Sequence, residues 1–187
     1  MVSVSPAAID CPRSRATNVY MSTVESVNRS SGLQVTNLSQ PLQVGKLYDI
    51  AGRMYTDGNG ERCLRAWQVS QGADGPVDPL AMPVRSLGGG GWQYDPANGG
   101  GQQGILGGAG LNNIGLLVKA VGKVVECQPL ASPPYLLLDD GSSLPIKVIC
   151  QTAPTCSEYA AVTGISSCTW QSGNLVSVIL ATGIQPI

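Results

Sequence analysis

The chain has 187 residues, of which 12% are charged and none is histidine, and its formal net charge is -1. Without histidine, the chain cannot form a Ser-His-Asp triad, a Cys-His pair or a zinc site of mixed Cys/His type. The nearly balanced charge also provides no global basic field that would attract nucleic acid or an anionic membrane.

The first 70 residues consist of short runs of alternating apolar and polar residues, separated by turn signals. This pattern favours β-strands over helices. We predict strands over residues 2–12 (broken by Pro6), 18–26, 31–37, 47–57 and 61–69. Asp57-Gly-Asn-Gly, which separates the last two strands, is a strong hairpin signal. Five short strands in one segment are typical of a small Greek-key barrel.

The segment 71–115 is rich in glycine. Twelve of the 24 glycines lie between Gly88 and Gly115, where Asp95 is the only charged residue. Such a composition is typical of a flexible linker, but this segment also carries large apolar side chains that exposed linkers rarely contain. We therefore expect an ordered connector that packs on another surface. Its candidate contacts for self-assembly are Trp92, Tyr94, Ile105 and Leu106.

The last segment, 116–187, again predicts five strands, over 116–127, 135–138, 146–150, 159–167 and 174–182. Gly122 within the first of these marks a bend, which a closed barrel needs. Asp139 and Asp140 precede a glycine and are expected to form a turn rather than part of a calcium site. Because they are adjacent, they do not form a facing acid/base pair either.

The two strand-rich segments align as a weak internal repeat. The alignment places Gly52 on Gly164, residues 30–35 on 143–148 and Cys11 on Cys127. We therefore predict an all-β protein with two five-stranded barrels, at residues 1–70 and 116–187, joined by a Gly-rich connector at 71–115.

Four motifs carry a resemblance to a known group: PLAMPVRSLGGG, GLNNIGLLVKAVGKVVE, LLLDDGS and VTGISS. Together with the order of strands in the first half, they resemble predicted secreted bacterial proteins with tandem OB-fold domains. The resemblance implies that both barrels are OB-like. It implies no particular activity, because OB folds bind oligonucleotides, oligosaccharides and proteins.

The six cysteines are an even number without a C-x-x-C motif, which favours disulfides and an oxidising compartment. Cys150 and Cys156 flank a short loop that a disulfide would readily close. The repeat symmetry suggests two further bridges, Cys11–Cys63 and Cys127–Cys168, one in each barrel. Six cysteines allow 15 pairings, so this set is a hypothesis.

The first half also contains a cluster of arginine and aromatic residues. Residues two apart on a strand share a face, and single-stranded nucleic acid is bound by aromatic platforms beside basic groups. The candidate ligand-binding residues are Tyr20, Arg53, Tyr55, Arg65 and Trp67. The alternative is that Tyr20 and Trp67 belong to the core and that the arginines form a solvated edge.

These features predict a non-catalytic, extracellular structural subunit that self-assembles into a filament or surface polymer and needs no cofactor or metal. Both chain termini are candidates to complete a neighbour's sheet, the alternative being that each finishes its own barrel. The other functional hypothesis is a binding module for single-stranded nucleic acid or oligosaccharide, within the same polymer or alone. No run of ~18 apolar residues is present, so we expect no membrane-spanning helix.

Overall fold

The structure, a computed structural model, describes residues 2–4, 20–26, 30–75, 77–142 and 144–187, with side chains described from residue 24 onwards. The chain is all-β in these ranges, as predicted, and their helical content is a single 3₁₀ turn at Val84–Ser86. Among the described residues, no helix is long and apolar enough to cross a membrane.

The first barrel contains five strands: β1 (Val2–Val4), β2 (Tyr20–Ser26), β3 (Gly32–Leu38), β4 (Lys46–Thr56) and β5 (Arg62–Asp74). They close in the order β1-β2-β3-β5-β4. Strands β3 and β5 are parallel, and the other neighbours are antiparallel. Strand β5 extends past the predicted boundary at residue 70, and the predicted strand over 2–12 is described only at its start.

Alternating side chains of these strands fill the first barrel, as strand geometry requires. On β5, Leu64 and Ala66 point into the core while Arg65 between them is exposed. The core itself is a cluster of buried side chains from β2 to β5 and the β3–β4 loop: Val24, Val35, Leu38, Leu42, Tyr48 and Ala66.

The second half contains β9 (Leu117–Gln128), β10 (Tyr135–Asp139), β11 (Ile146–Ile149), β12 (Tyr159–Gln171) and β13 (Asn174–Pro186). They pair in the order β10-β11-β13-β12-β9, and an additional β9–β10 ladder joins the two ends of that series. Strands β11 and β13 are parallel. The second half therefore has the same cyclic order of pairings as the first, and we refer to it as the second barrel.

A β-bulge lies at the same place in both barrels. Gly52 on β4 pairs with Ala66 at a register shift, and Gly164 on β12 pairs with Ala181 at another. A Cβ on Gly52 would lie 2.5 Å from the Arg65 carbonyl oxygen, and a Cβ on Gly164 would lie 2.4 Å from the equivalent oxygen of Leu180. Glycine is needed at both positions because the neighbouring strand approaches so closely. These are the two glycines that the sequence repeat superimposes.

The segment predicted as the connector carries three short strands, β6 (Leu80–Ala81), β7 (Trp92–Asp95) and β8 (Gly100–Gln102). Strand β6 adds to β9 of the second barrel, whereas β7 and β8 form a separate two-stranded hairpin. Gln102 at the end of this hairpin is buried and forms two hydrogen bonds with the first barrel. Its Nε2 donates to the Gly60 carbonyl (2.9 Å), and its Oε1 accepts from the Arg62 amide (2.7 Å).

The two barrels meet at a junction that contains buried carboxylates. Glu25 on β2 accepts a hydrogen bond from the Leu117 amide, and Glu61 at the start of β5 accepts one from the Ser167 hydroxyl (2.6 Å). Both glutamates are buried. The backbones of Gly32 and Gly115 are in contact there, since a Cβ on Gly32 would lie 2.1 Å from the Gly115 carbonyl carbon.

The C-terminal segment pairs within its own barrel. Pro186 pairs with Ala160 on β12, and the Ile187 amide donates to the Tyr159 carbonyl. The other edge of β13 pairs with β11 at Val178, Ile179 and Leu180. Completion of a neighbour's sheet by this segment stays a prediction. The corresponding N-terminal hypothesis concerns residues that lie largely outside the described ranges.

Candidate functional site

The arginine and aromatic residues of the first barrel meet on the outer surface of β3, β5 and β4. Arg53 and Arg65 are directly opposed partners in the β4–β5 ladder, and both are exposed. The guanidinium carbon of Arg65 lies 5.5 Å from the centroid of the Tyr55 ring. The Tyr55 and Thr36 hydroxyls share a hydrogen bond of 3.1 Å. We call the surface formed by Thr36, Arg53, Tyr55, Arg65 and Trp67 the arginine face.

Trp67 lies two residues beyond Arg65, at the bulge of β5. It is the additional residue between the pairs Gly52–Ala66 and Ala51–Gln68, and its side chain is 70% exposed. The alternative that Trp67 belongs to the barrel core is therefore wrong. A bulge redirects the side chain that it carries, and here it presents the largest apolar side chain of the first barrel to solvent.

The arginine face has an excess of positive charge. Within the described chain the ion pairs are Lys46–Asp74 and Lys123–Glu158, and neither Arg53 nor Arg65 takes part in one. Like charges in directly opposed positions destabilise a sheet. An anion bound between the two guanidinium groups would remove this repulsion and receive charge-assisted hydrogen bonds from both.

Tyr55 is the partly buried member of the arginine face, and this burial raises its pKa above the usual value. Tyr55 therefore remains a neutral hydroxyl that can donate or accept a hydrogen bond at physiological pH. The predicted fifth member, Tyr20, begins β2, which is separated from β5 by β3, and its side chain lies outside the described part.

The disulfide of the described chain joins Cys127 to Cys156, with a Cα–Cα distance of 5.8 Å. The predicted bridges Cys127–Cys168 and Cys150–Cys156 are therefore wrong. Cys150 points into the core of the second barrel, and Cys168 is buried at the junction, so only Cys156 on the loop after β11 reaches the end of β9. The bridge is consistent with an oxidising compartment.

Cys63 is a buried free thiol beside the arginine face. Its Sγ donates to Gln34 Oε1 (3.2 Å), and burial raises its pKa to about 12. Such a thiol is unreactive, because the thiolate is the nucleophile. Its predicted partner, Cys11, lies outside the described residues.

The Asp139–Gly141 segment forms a turn, as predicted. The Gly141 amide donates to Asp139 Oδ1 (2.8 Å), and Asp140 Oδ2 accepts from the Val84 amide (2.7 Å), which attaches the connector to the second barrel. In the part of the chain that the structure describes, no group of three or more acidic, cysteine or histidine residues is arranged to hold a metal ion.

The connector exposes three of the four residues predicted for assembly. Trp92 and Tyr94 lie on the β7–β8 hairpin with 43% and 45% of their surface exposed, and Leu106 is 64% exposed. Ile105 instead packs against Ile114, Cys168 and Leu175 in a small buried cluster. Ile105 therefore contributes mainly to holding the connector on the second barrel.

A groove of about 520 Å³ lies on the second barrel. Its lining includes the connector residues Ile105 and Leu106 and Leu144 on the β10–β11 loop. Local sequence patterns do not predict this groove, because its lining comes from the connector, β10, β11 and β13. Tyr135 and Lys147 lie within it, and the Lys147 ammonium group is 4.1 Å from the centroid of the Tyr135 ring.

Comparisons of the chain with protein-family models, with curated proteins and with solved structures give no match. The geometry of the arginine face and of the groove therefore carries the functional argument.

Proposed function

We propose that the protein is a non-catalytic binding module in which two tandem OB-like barrels present a site for single-stranded nucleic acid on the first barrel. The order β1-β2-β3-β5-β4 with parallel β3 and β5, repeated in the second half, supports the OB-like assignment. The observation that carries the function is the exposed, directly opposed pair Arg53 and Arg65 beside Tyr55, neither of which forms an ion pair with another described residue.

Each component of the arginine face suits one part of a single strand. The two guanidinium groups suit phosphate oxygens, which arginine can bind through two parallel hydrogen bonds. The exposed Trp67 ring provides a stacking platform for a base, and stacking of this kind contributes ~1–3 kcal/mol per base. No element of the face selects a particular base, so we expect little sequence preference.

The proposal is tested by fluorescence anisotropy with labelled single-stranded DNA and RNA of mixed sequence at several salt concentrations. Affinity is expected to fall as salt rises, and the double variant R53Q/R65Q is expected to reduce the slope of log K against log salt by about 1.4. The variant K123Q removes a charge on the second barrel and serves as the control. Binding that responds to neither salt nor the double variant would contradict the proposal, and a salt-independent affinity for neutral glycans would favour oligosaccharide.

A second candidate function is self-assembly into an extracellular structural polymer. The observation that favours it is the connector, which is anchored through Gln102 yet exposes the large apolar side chains Trp92, Tyr94 and Leu106. Exposed apolar side chains on an ordered element are typical of protein–protein contacts. Sedimentation velocity of the purified chain over a range of concentrations tests this function. Sedimentation as a monomer at every concentration would contradict it.

The two functions are compatible, because the arginine face is on the first barrel and the exposed apolar side chains Trp92, Tyr94 and Leu106 are on the connector. A polymer that repeats the arginine face would bind one nucleic acid strand at several points. Such linked binding raises the overall affinity without any new type of contact.

A further inference from the structure

The groove on the second barrel has the dimensions of a binding site. Its volume of about 520 Å³ lies within the range of ~300–1,000 Å³ that is common for ligand pockets. Two of the leucines that line it, Leu106 and Leu144, are mostly exposed, the latter at 83%. Val176 and Leu137 add further apolar surface. The groove is thus a depression that is open to solvent and lined by both apolar and polar side chains.

The polar residues of the groove leave it with a net positive charge. The Tyr135 hydroxyl donates to Glu126 Oε1 (2.7 Å), so this carboxylate already has a partner. Lys147 over the Tyr135 ring and Arg85 at the groove wall belong to no ion pair within the described ranges. An occupant with apolar or aromatic side chains and one negative charge would match this surface.

The β7–β8 hairpin of the connector has these properties. It exposes Trp92 and Tyr94, and Asp95 is the only charge in the segment 88–115. Asp95 accepts hydrogen bonds from the Asn98 side chain (2.6 Å) and the Ala97 amide (3.0 Å), which lower its pKa and keep it anionic. The three glycines at 99–101 leave the returning end of the hairpin without side chains, so it is narrow enough to enter a groove.

We propose that the connector hairpin of one copy inserts into the second-barrel groove of the next copy. In this contact Tyr94 and the exposed part of Trp92 would pack against Leu106 and Leu144, and Asp95 would face Lys147 and Arg85. The contact is heterologous, because a hairpin on one molecule meets a groove on another, and repetition of such a contact produces an open chain of subunits unless the geometry closes a ring. The inference rests on the proposed self-assembly and identifies its interface.

A mixing experiment tests this contact. The variant Y94S has a defective hairpin and an intact groove, whereas K147E has an intact hairpin and a defective groove. Each is expected to sediment as a monomer when alone. An equimolar mixture is expected to form a dimer and nothing larger, because one intact hairpin meets one intact groove and the remaining ends are both defective. L144S is a second groove variant on an exposed loop, and L130S replaces an exposed leucine outside the groove and serves as the control.

The possible outcomes test the hairpin–groove contact and self-assembly separately. If the wild-type chain is monomeric at every concentration, both proposals are overturned. If the wild type assembles and Y94S, K147E and L144S assemble equally well, the hairpin–groove contact is overturned while self-assembly stands. If the single variants are monomeric and folded by circular dichroism but their mixture forms no dimer, the proposed pairing of hairpin with groove is wrong.

Discussion

The Glu61 carboxylate of the first barrel accepts a 2.6 Å hydrogen bond from the Ser167 hydroxyl of the second, in an environment from which water is excluded. Burial raises the pKa of Glu61 to about 7. The negative charge of Asp57 raises this pKa further, whereas the hydrogen bond from Ser167 lowers it by a smaller amount than burial raises it. The junction between the barrels therefore holds a carboxyl group that is more stable when protonated.

This predicts that the protein loses stability as pH rises through neutrality. Glu61 binds its proton more tightly in the folded state than in the unfolded state. Its protonation therefore contributes fully to the free energy of unfolding below the unfolded pKa near 4.5, and this contribution is lost as pH rises through the folded pKa of about 7. The loss is on the order of 3 kcal/mol. Urea unfolding at several pH values between 5 and 8 measures this loss. The free energy of unfolding should depend less on pH in the variant E61Q than in the wild type, whereas E158Q, which changes an exposed carboxylate, should leave the pH dependence unchanged.

The Cys127–Cys156 disulfide is expected to stabilise the second barrel. Its two cysteines are 29 residues apart, and closing a loop of this size in the unfolded chain corresponds to ~3.6 kcal/mol. The double variant C127S/C156S should therefore unfold at a lower urea concentration. Dithiothreitol should destabilise the wild type by a similar amount and leave the double variant unaffected. Equal sensitivity of both proteins to the reductant would contradict this prediction.

The opposed arginines predict a conflict between stability and binding. Replacing Arg53 by threonine removes a like-charge cross-strand pair and introduces a residue with good β-propensity, so the free protein should gain ~0.5 kcal/mol. The same variant should bind single-stranded nucleic acid more weakly. Urea unfolding and anisotropy titrations on the same preparations measure both effects. The variant K123T, on an exposed position of the second barrel, should not weaken binding.

The contact between Gly32 and Gly115 predicts a steric requirement at the junction. An alanine at position 32 would place its Cβ 2.1 Å from the Gly115 backbone, so the two barrels would have to move apart. We expect G32A to destabilise the protein by ~1–3 kcal/mol. G58A is the matched control, because a Cβ there meets no atom within 4 Å, and its effect should stay within ~0.5 kcal/mol. Similar urea midpoints for both variants would contradict the argument.

Local sequence patterns were sufficient for the features that depend on strand alternation and turn chemistry. The spacing of two along β4 predicts that Arg53 and Tyr55 share a face, and Arg65 is the cross-strand partner of Arg53 on that face. The alignment of Gly52 with Gly164 followed from the repeat, and both residues lie at bulges. The alternating pattern alone could not predict that Trp67 is exposed, because the bulge adds one residue to the strand at this point.

The features that depend on distant parts of the chain were not predictable in the same way. Glu61 lies beside a hairpin turn, where a charged residue is ordinarily solvated, and only the packing of Ser167 against it explains its burial. The disulfide depends on the path of the loop between β11 and β12, which brings Cys156 rather than Cys150 to Cys127. The groove likewise requires the connector to fold back onto the second barrel, which composition alone does not show.

The residues next to the two equivalent bulges differ in polarity and in exposure to solvent. Through the shared ladder positions, Arg53 and Arg65 of the first barrel correspond to Ile165 and Leu180 of the second, which are themselves opposed partners. There the pair is apolar and packs against Leu117 and Val77. The surface at this ladder position is thus exposed in the first barrel and mostly covered in the second, so the stoichiometry expected at the arginine face is one strand per chain rather than two.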